Sequence, residues 1–156
     1  MLDRIRSLLR EAAHGSFDDP HRPDALQVAV AGLLVEVARM HEDFDPAERA
    51  IIRRLLTRRF ELSAEDVEAL IETADRRVQE AGDFWTFARV VKDRFDEAQR
   101  IAMIEMMWEV AYADGRLDDF EASLMRRVAG LIYVDDVASG AARKRALKRL
   151  GIDDAG

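Results

Sequence analysis

Between Leu26 and Ala38 only Gln27 and Glu36 are polar. A helix that is apolar nearly all round has no face to offer water, so it belongs at the centre of a fold. A second long apolar helix is expected from about Asp96 to Ala113, in the other half of the chain. No uncharged apolar stretch reaches the roughly 18 residues that a membrane crossing needs. These runs are therefore core helices, and the rest of the chain must cover them. The composition agrees: 156 residues, 49% hydrophobic and 35% charged, suit one globular domain with a real core. Only 3 Pro and 8 Gly interrupt it, and β-branched runs are few.

Helical spacing marks the covering elements. Met1 to Ala13 is a short amphipathic helix, with Leu2, Ile5, Leu8, Leu9 and Ala12 on one face. His14 to Pro23 is a loop broken by Gly15, Pro20 and Pro23. Asp24 to about Met40 is the first central helix, and His41-Glu42-Asp43-Phe44 is a tight turn. Asp45-Pro46-Ala47-Glu48 is a strong helix start, with Asp at the N-cap, Pro at N1 and Glu at N3. That helix reaches about Phe60 and turns Ile51, Ile52, Leu55 and Leu56 inward. Ser63 opens another, ending near Glu80 before Gly82. Asp83 caps a helix with Phe84, Phe87, Ala88 and Val91, which breaks near Asp93. Asp114 to Leu117 is a turn after the second central helix, with Gly115 just past the helix end. The next helix starts at Asp118, and a last one runs from Asp135 or Ser139 to Leu150, with Ala142, Ala146, Leu147 and Leu150 as its core stripe. Leu131 to Val134 is the one candidate strand.

The chain repeats itself at an offset of 73. Ala29 meets Ala102, Glu36 meets Glu109, and Val37-Ala38 meets Val110-Ala111. Asp45 meets Asp118, Glu48 meets Glu121, and Arg53-Arg54 meets Arg126-Arg127. Two similar helical hairpins follow, each a long central helix, a turn and a capped second helix. The fold class is all-α: a compact array of seven or eight helices in one domain over residues 1–156, built on two pseudo-repeated hairpins.

Charge and composition exclude several functions. The net charge of −7 repels nucleic acid and anionic lipid from the molecule as a whole, and favours cations or basic partners. There is no cysteine, which rules out disulfides, thiolate zinc sites, iron–sulfur clusters and thiol catalysis. Met1 to Glu11 alternates charge with Leu and lacks the apolar core of a secretory signal. A cytoplasmic setting is expected. No glycine-rich phosphate loop, H-E-x-x-H pair or nucleophile pattern occurs, so no enzyme is expected.

The carboxylates at the two repeated corners are the candidate site. Glu109, Asp114, Asp118 and Glu121 surround the second corner, and Glu36, His41, Asp45 and Glu48 the first. Oxygen ligands of this kind suit Ca²⁺ or Mg²⁺, with His41 the one nearby nitrogen. The corners are too short for a twelve-residue EF-hand loop. The same residues serve equally as helix caps, each worth roughly 1 kcal/mol. Glu36 and Glu109 interrupt apolar runs and need partners. The repeat suggests Arg53 or Arg54 for Glu36, and Arg126 or Arg127 for Glu109. Glu105 and Glu109, four apart, could instead form an exposed acidic stripe. The cluster Phe84, Trp85, Phe87 and Phe95 belongs to the core, with Trp85 the member that could sit outside. Arg143, Lys144, Arg145, Lys148 and Arg149 form a basic run, either a solvated face or a contact for phosphate or an acidic partner.

The segment Trp108-Glu109-Val110-Ala111-Tyr112-Ala113-Asp114-Gly115-Arg116-Leu117-Asp118-Asp119-Phe120-Glu121 resembles the tellurite-resistance TerB-like family. So do Leu124 and Arg126 to Ala129, the run Phe95-Asp96-Glu97-Ala98-Gln99-Arg100, and the first-half motifs Leu34 to Ala38 and Asp45 to Arg49. The match spans about residues 24–134. The first copy departs from the pattern, with His41-Glu42 where Asp-Gly would stand. The resemblance implies an all-helical, acidic, non-enzymatic module linked to bacterial tellurite and stress resistance. It further implies metal-ion binding, and a protein partner in a membrane-associated complex at the inner membrane. A similar domain precedes the J-domain of some membrane co-chaperones. The acids that carry over are Glu36, Asp45, Glu48, Glu109, Asp114, Asp118 and Glu121.

Overall fold

The computed structural model describes residues 24–41, 44–81, 84–115, 117 and 119–152. Among these are seven α-helices and no strand: α1 (Ala25–Ala38), α2 (Pro46–Phe60), α3 (Ala64–Ala81), α4 (Phe84–Arg94), α5 (Glu97–Ala111), α6 (Asp119–Leu131) and α7 (Asp136–Leu150). The expected helix over Met1 to Ala13 and the loop over His14 to Pro23 lie outside the described residues. The candidate strand at Leu131 to Val134 is instead the end of α6 and a turn. Asp96 starts the second central helix as expected, but α5 ends at Ala111, short of Ala113.

Local chemistry sets the helix starts. Asp24, Asp45, Asp96 and Asp135 are N-caps, each accepting a backbone N–H at 2.8 Å. Ser63 does the same for α3 at 3.1 Å. Capping boxes close α2, through Glu48, and α5, through Gln99.

The two apolar helices are central. α1 packs on α2, α3, α4 and α5, while α5 packs on α1, α2, α6 and α7. Gly32 is what lets α4 lie so close to α1. A Cβ at that position would fall 2.5 Å from the buried Phe87 ring.

The repeat is larger than two hairpins. The central helices end at Ala38 and Ala111, and the following helices start at Pro46 and Asp119, both pairs at the offset of 73. The connections that follow also correspond, one residue closer in sequence. Glu61-Leu62-Ser63 leads into α3, and Tyr133-Val134-Asp135 leads into α7. Glu61 (φ 52°) and Tyr133 (φ 61°) are both left-handed, and Ser63 and Asp135 both cap the next helix. α3 covers α1 as α7 covers α5. The described residues thus form two three-helix units, α1–α2–α3 and α5–α6–α7, joined by α4. The last helix is the partner of α3.

Candidate functional site

Glu109 lies on the face of α5 that turns toward both α2 and α7, and it is fully buried. Arg54 donates to one carboxylate oxygen at 3.3 Å, and Arg149 to the other at 3.1 Å. Its partners are therefore not Arg126 or Arg127. The expected pairing within each repeat fails because α7 and α2 converge on this face, while Arg127 lies over the Phe84 ring. Arg53 joins Glu68 on α3, where Arg49 also donates at 2.8 Å. Arg54 thus links the two units across the repeat.

Glu105 is not part of an exposed stripe. Arg145 and Arg149 each reach it at 2.5 Å, and its side chain is 13% exposed. The hydrogen bond that Arg149 donates to Glu105, then the charges of Glu109 and Glu105, hold its guanidinium above its ordinary range, against the opposing effect of burial. Arg143 completes the seam by donating to the Tyr112 hydroxyl at 2.8 Å. Three of the five basic residues of α7 therefore serve an internal interface. The i, i+4 spacing of Glu105 and Glu109 matches that of Arg145 and Arg149, and that complementarity was the sequence signal for this contact. Arg39 with Asp75, at 2.5 and 3.0 Å, ties the end of α1 to α3 in a comparable way. Asp75 keeps the Arg39 guanidinium above its ordinary range.

At the first corner, Asp45 accepts from the Glu48 backbone N–H at 2.8 Å, and the Asp45 N–H donates to the Glu48 carboxylate at 3.3 Å. Glu48 is buried by this arrangement. Glu36 is half-buried on α1. His41 closes a single 3₁₀ turn, and its side chain lies outside the described residues. At the second corner Glu121 is fully buried as the third residue of α6. Asp114 is exposed in the turn after α5, and Gly115 takes φ 87°, as a turn at that place requires. Asp118 lies outside the described residues. Among the described residues no group of three or more His, Asp or Glu side chains is placed to hold a metal ion.

A different surface is more open. α4 and the end of α6 enclose a groove of about 430 Å³, lined by Trp85, Ala88, Arg89, Lys92, Leu131 and Tyr133 among others. Trp85 is 60% exposed and Tyr133 68%. The Lys92 ammonium lies 5.0 Å from the centre of the Tyr133 ring. Of the expected aromatic cluster, Phe87 and Phe95 are buried and Phe84 is partly so, while Trp85 faces outward. Tyr133 drew no attention in the sequence, because a single aromatic in an apolar run reads as core.

Two stacked three-helix units, each with a carboxylate in its central helix and another in the first turn of the next, define an acidic all-helical repeat module. A family model for the tellurite resistance protein TerB matches residues 27–144, and the chain belongs to that family. No curated protein and no solved structure matches the chain. Among the described residues no helix is long and apolar enough to cross a membrane.

Proposed function

We propose that the chain is a non-enzymatic protein-interaction module of the tellurite-resistance and stress type, cytoplasmic and recruited to a membrane-associated complex by a protein partner. The observation that carries this is the use of its acids. Glu105 and Glu109 are neutralised by arginines, and Asp45 and Glu48 finish a helix. Acids spent in this way stabilise the fold, and the open apolar groove is left as the surface that meets other molecules. Family membership supports the tellurite-resistance part of this reading.

A second reading has its own support at the second corner. Glu121 is fully buried beside a turn that carries Asp114, and Asp118 stands between them in sequence. The carboxylates gathered there are hard oxygen ligands of the kind Ca²⁺ or Mg²⁺ takes. The first copy, with His41, Asp45, Glu48 and Glu36, would be a weaker site because its capping box already uses Asp45 and Glu48.

One pair of measurements separates the two readings. Ca²⁺ and Mg²⁺ are titrated calorimetrically into chelator-stripped protein, and the protein is co-purified from its host with reciprocal tagging of whatever accompanies it. The adaptor reading expects no ion heat and one stoichiometric partner that captures the module in return. Ion heat and a thermal shift, both lost in Asp114→Ala and Glu121→Ala, would favour the cation. Failure of reciprocal capture would remove the adaptor.

A further inference from the structure

We propose that the groove between α4 and α6 binds an acidic, aromatic- or leucine-bearing peptide segment of a partner protein. The inference rests on the adaptor reading and assigns its surface. Three observations converge on it.

The first is charge. The chain carries −7 overall, yet none of the described residues lining this groove is acidic. Arg89 and Lys92 stand one helical turn apart on α4 along its wall. Arg89 has no carboxylate partner among the described residues. Lys92 has only the marginal neighbour Asp93, at 4.0 Å. On a molecule of net charge −7, a groove whose charged lining is two cations and no acid is a local inversion of charge. Its complement is an acidic ligand.

The second is Tyr133. The turn it occupies needs a left-handed residue: the Val134 N–H bonds to the Ala129 carbonyl at 2.9 Å, and that of Tyr133 to Gly130 at 3.4 Å. The end of α7 closes in the same way, with Ile152 to Leu147 at 2.9 Å and Gly151 to Lys148 at 3.2 Å, and glycine takes the left-handed position. The first repeat puts the exposed Glu61 there. The backbone therefore does not ask for an aromatic ring. A bulky side chain in this conformation is strained, and the ring gains little burial in return. What it does gain is the Lys92 ammonium over its face and a place in the groove lining together with Trp85.

The third is the position of α4. Among the described helices it is the one with no counterpart in the repeat, so the groove is a feature of this junction and not of the repeated unit. Trp85 and Tyr133 supply apolar anchoring surface, and the two cations set the sign of the ligand.

The test uses the full chain as bait against a displayed library of random twelve-residue peptides. Enriched sequences are then synthesised and their binding measured by fluorescence anisotropy. Enrichment should favour Asp and Glu with Phe, Trp or Leu. Trp85→Ala, and Arg89→Glu with Lys92→Glu, should each weaken binding at least tenfold. Tyr133→Gly is the decisive variant: binding should fall by a similar factor while the urea midpoint holds or rises, because glycine suits the turn better. Neutral or basic sequences, no enrichment, or undiminished binding by Trp85→Ala would overturn the proposal. So would a synthetic peptide of residues 1–13 binding at the groove, or a dimer in sedimentation that Trp85→Ala dissociates, since the occupant would then be this chain itself. If a stoichiometric partner is captured but Trp85→Ala and Tyr133→Gly leave its affinity unchanged, the groove is wrong and the adaptor reading survives. If there is neither partner nor enriched peptide, both fall.

Discussion

Glu109 is a fully buried carboxylate whose charge is balanced from two directions, by Arg54 and by Arg149. Burying such a charge is tolerable only while both oxygens are bonded. Arg149→Ala removes one of these bonds and is expected to cost about 2 kcal/mol in urea unfolding. Lys148→Ala, on the same helix, should stay within about 0.5 kcal/mol. Equal effects would mean that the pair contributes nothing specific. Gly32 is a residue-scale constraint of another kind. Alanine would gain about 1 kcal/mol in helix propensity, but its Cβ would press on a ring that is itself enclosed. Overpacking of this kind costs about 1–3 kcal/mol. Gly32→Ala should therefore lower stability by about 1 kcal/mol net, and Phe87→Leu in the same chain should recover part of the loss. A Gly32→Ala protein with a raised urea midpoint would contradict the close approach of α4 to α1.

At the scale of elements, α2, α3 and α7 are each fastened to a neighbour by arginine–carboxylate contacts laid over an apolar seam. Between α2 and α3 the acid is Glu68. Hydrogen bonds from Arg49, then Arg53, hold its carboxyl below the usual carboxylate range, against a smaller opposing effect of burial. A depressed carboxyl stabilises the fold above its unfolded value, about pH 4.3, and loses that contribution as pH falls through the folded value. Glu68→Gln should thus be less stable than the parent near neutral pH. The gap should close on the acid side, below about pH 4, in urea midpoints measured from pH 3 to 7. The site is partly exposed, so the gap should be under about 1 kcal/mol. A gap that persists at pH 3 would point to packing instead. Arg39 and Arg149, held above an already high range, have no comparable pH dependence.

At the scale of the whole molecule, the two three-helix units share one core, because α1 lies against α5 and Arg54 bridges between them. Their unfolding should be a single transition. The fluorescence of Trp108, buried on α5, followed in a Trp85→Phe background, should coincide with the helical circular dichroism signal. Two separated midpoints would show units that fold independently.

Helix boundaries and the repeat were legible in the chain because they are local or periodic. Asp45-Pro46 and Asp135 announce their helices through short-range hydrogen bonds, and the apolar runs of α1 and α5 follow from having no polar face. The relation of α7 to α3 was hidden, since it survives as a connection geometry, one residue out of register, and not as matching residues. The partners of Glu109 were hidden for a related reason: proximity in sequence favoured Arg126 and Arg127, whereas the meeting of α2, α5 and α7 is a matter of packing. Of the candidate acids, the chain alone marked where each falls along its helix. Packing decided that Glu109 and Glu121 are enclosed, that Asp114 faces solvent, and that Trp85 and Tyr133 are exposed in a groove also lined by Arg89 and Lys92. The physical distinction is range. Capping and amphipathicity act within a few residues, but the sign of a surface and the burial of a charge depend on which helices the core brings side by side.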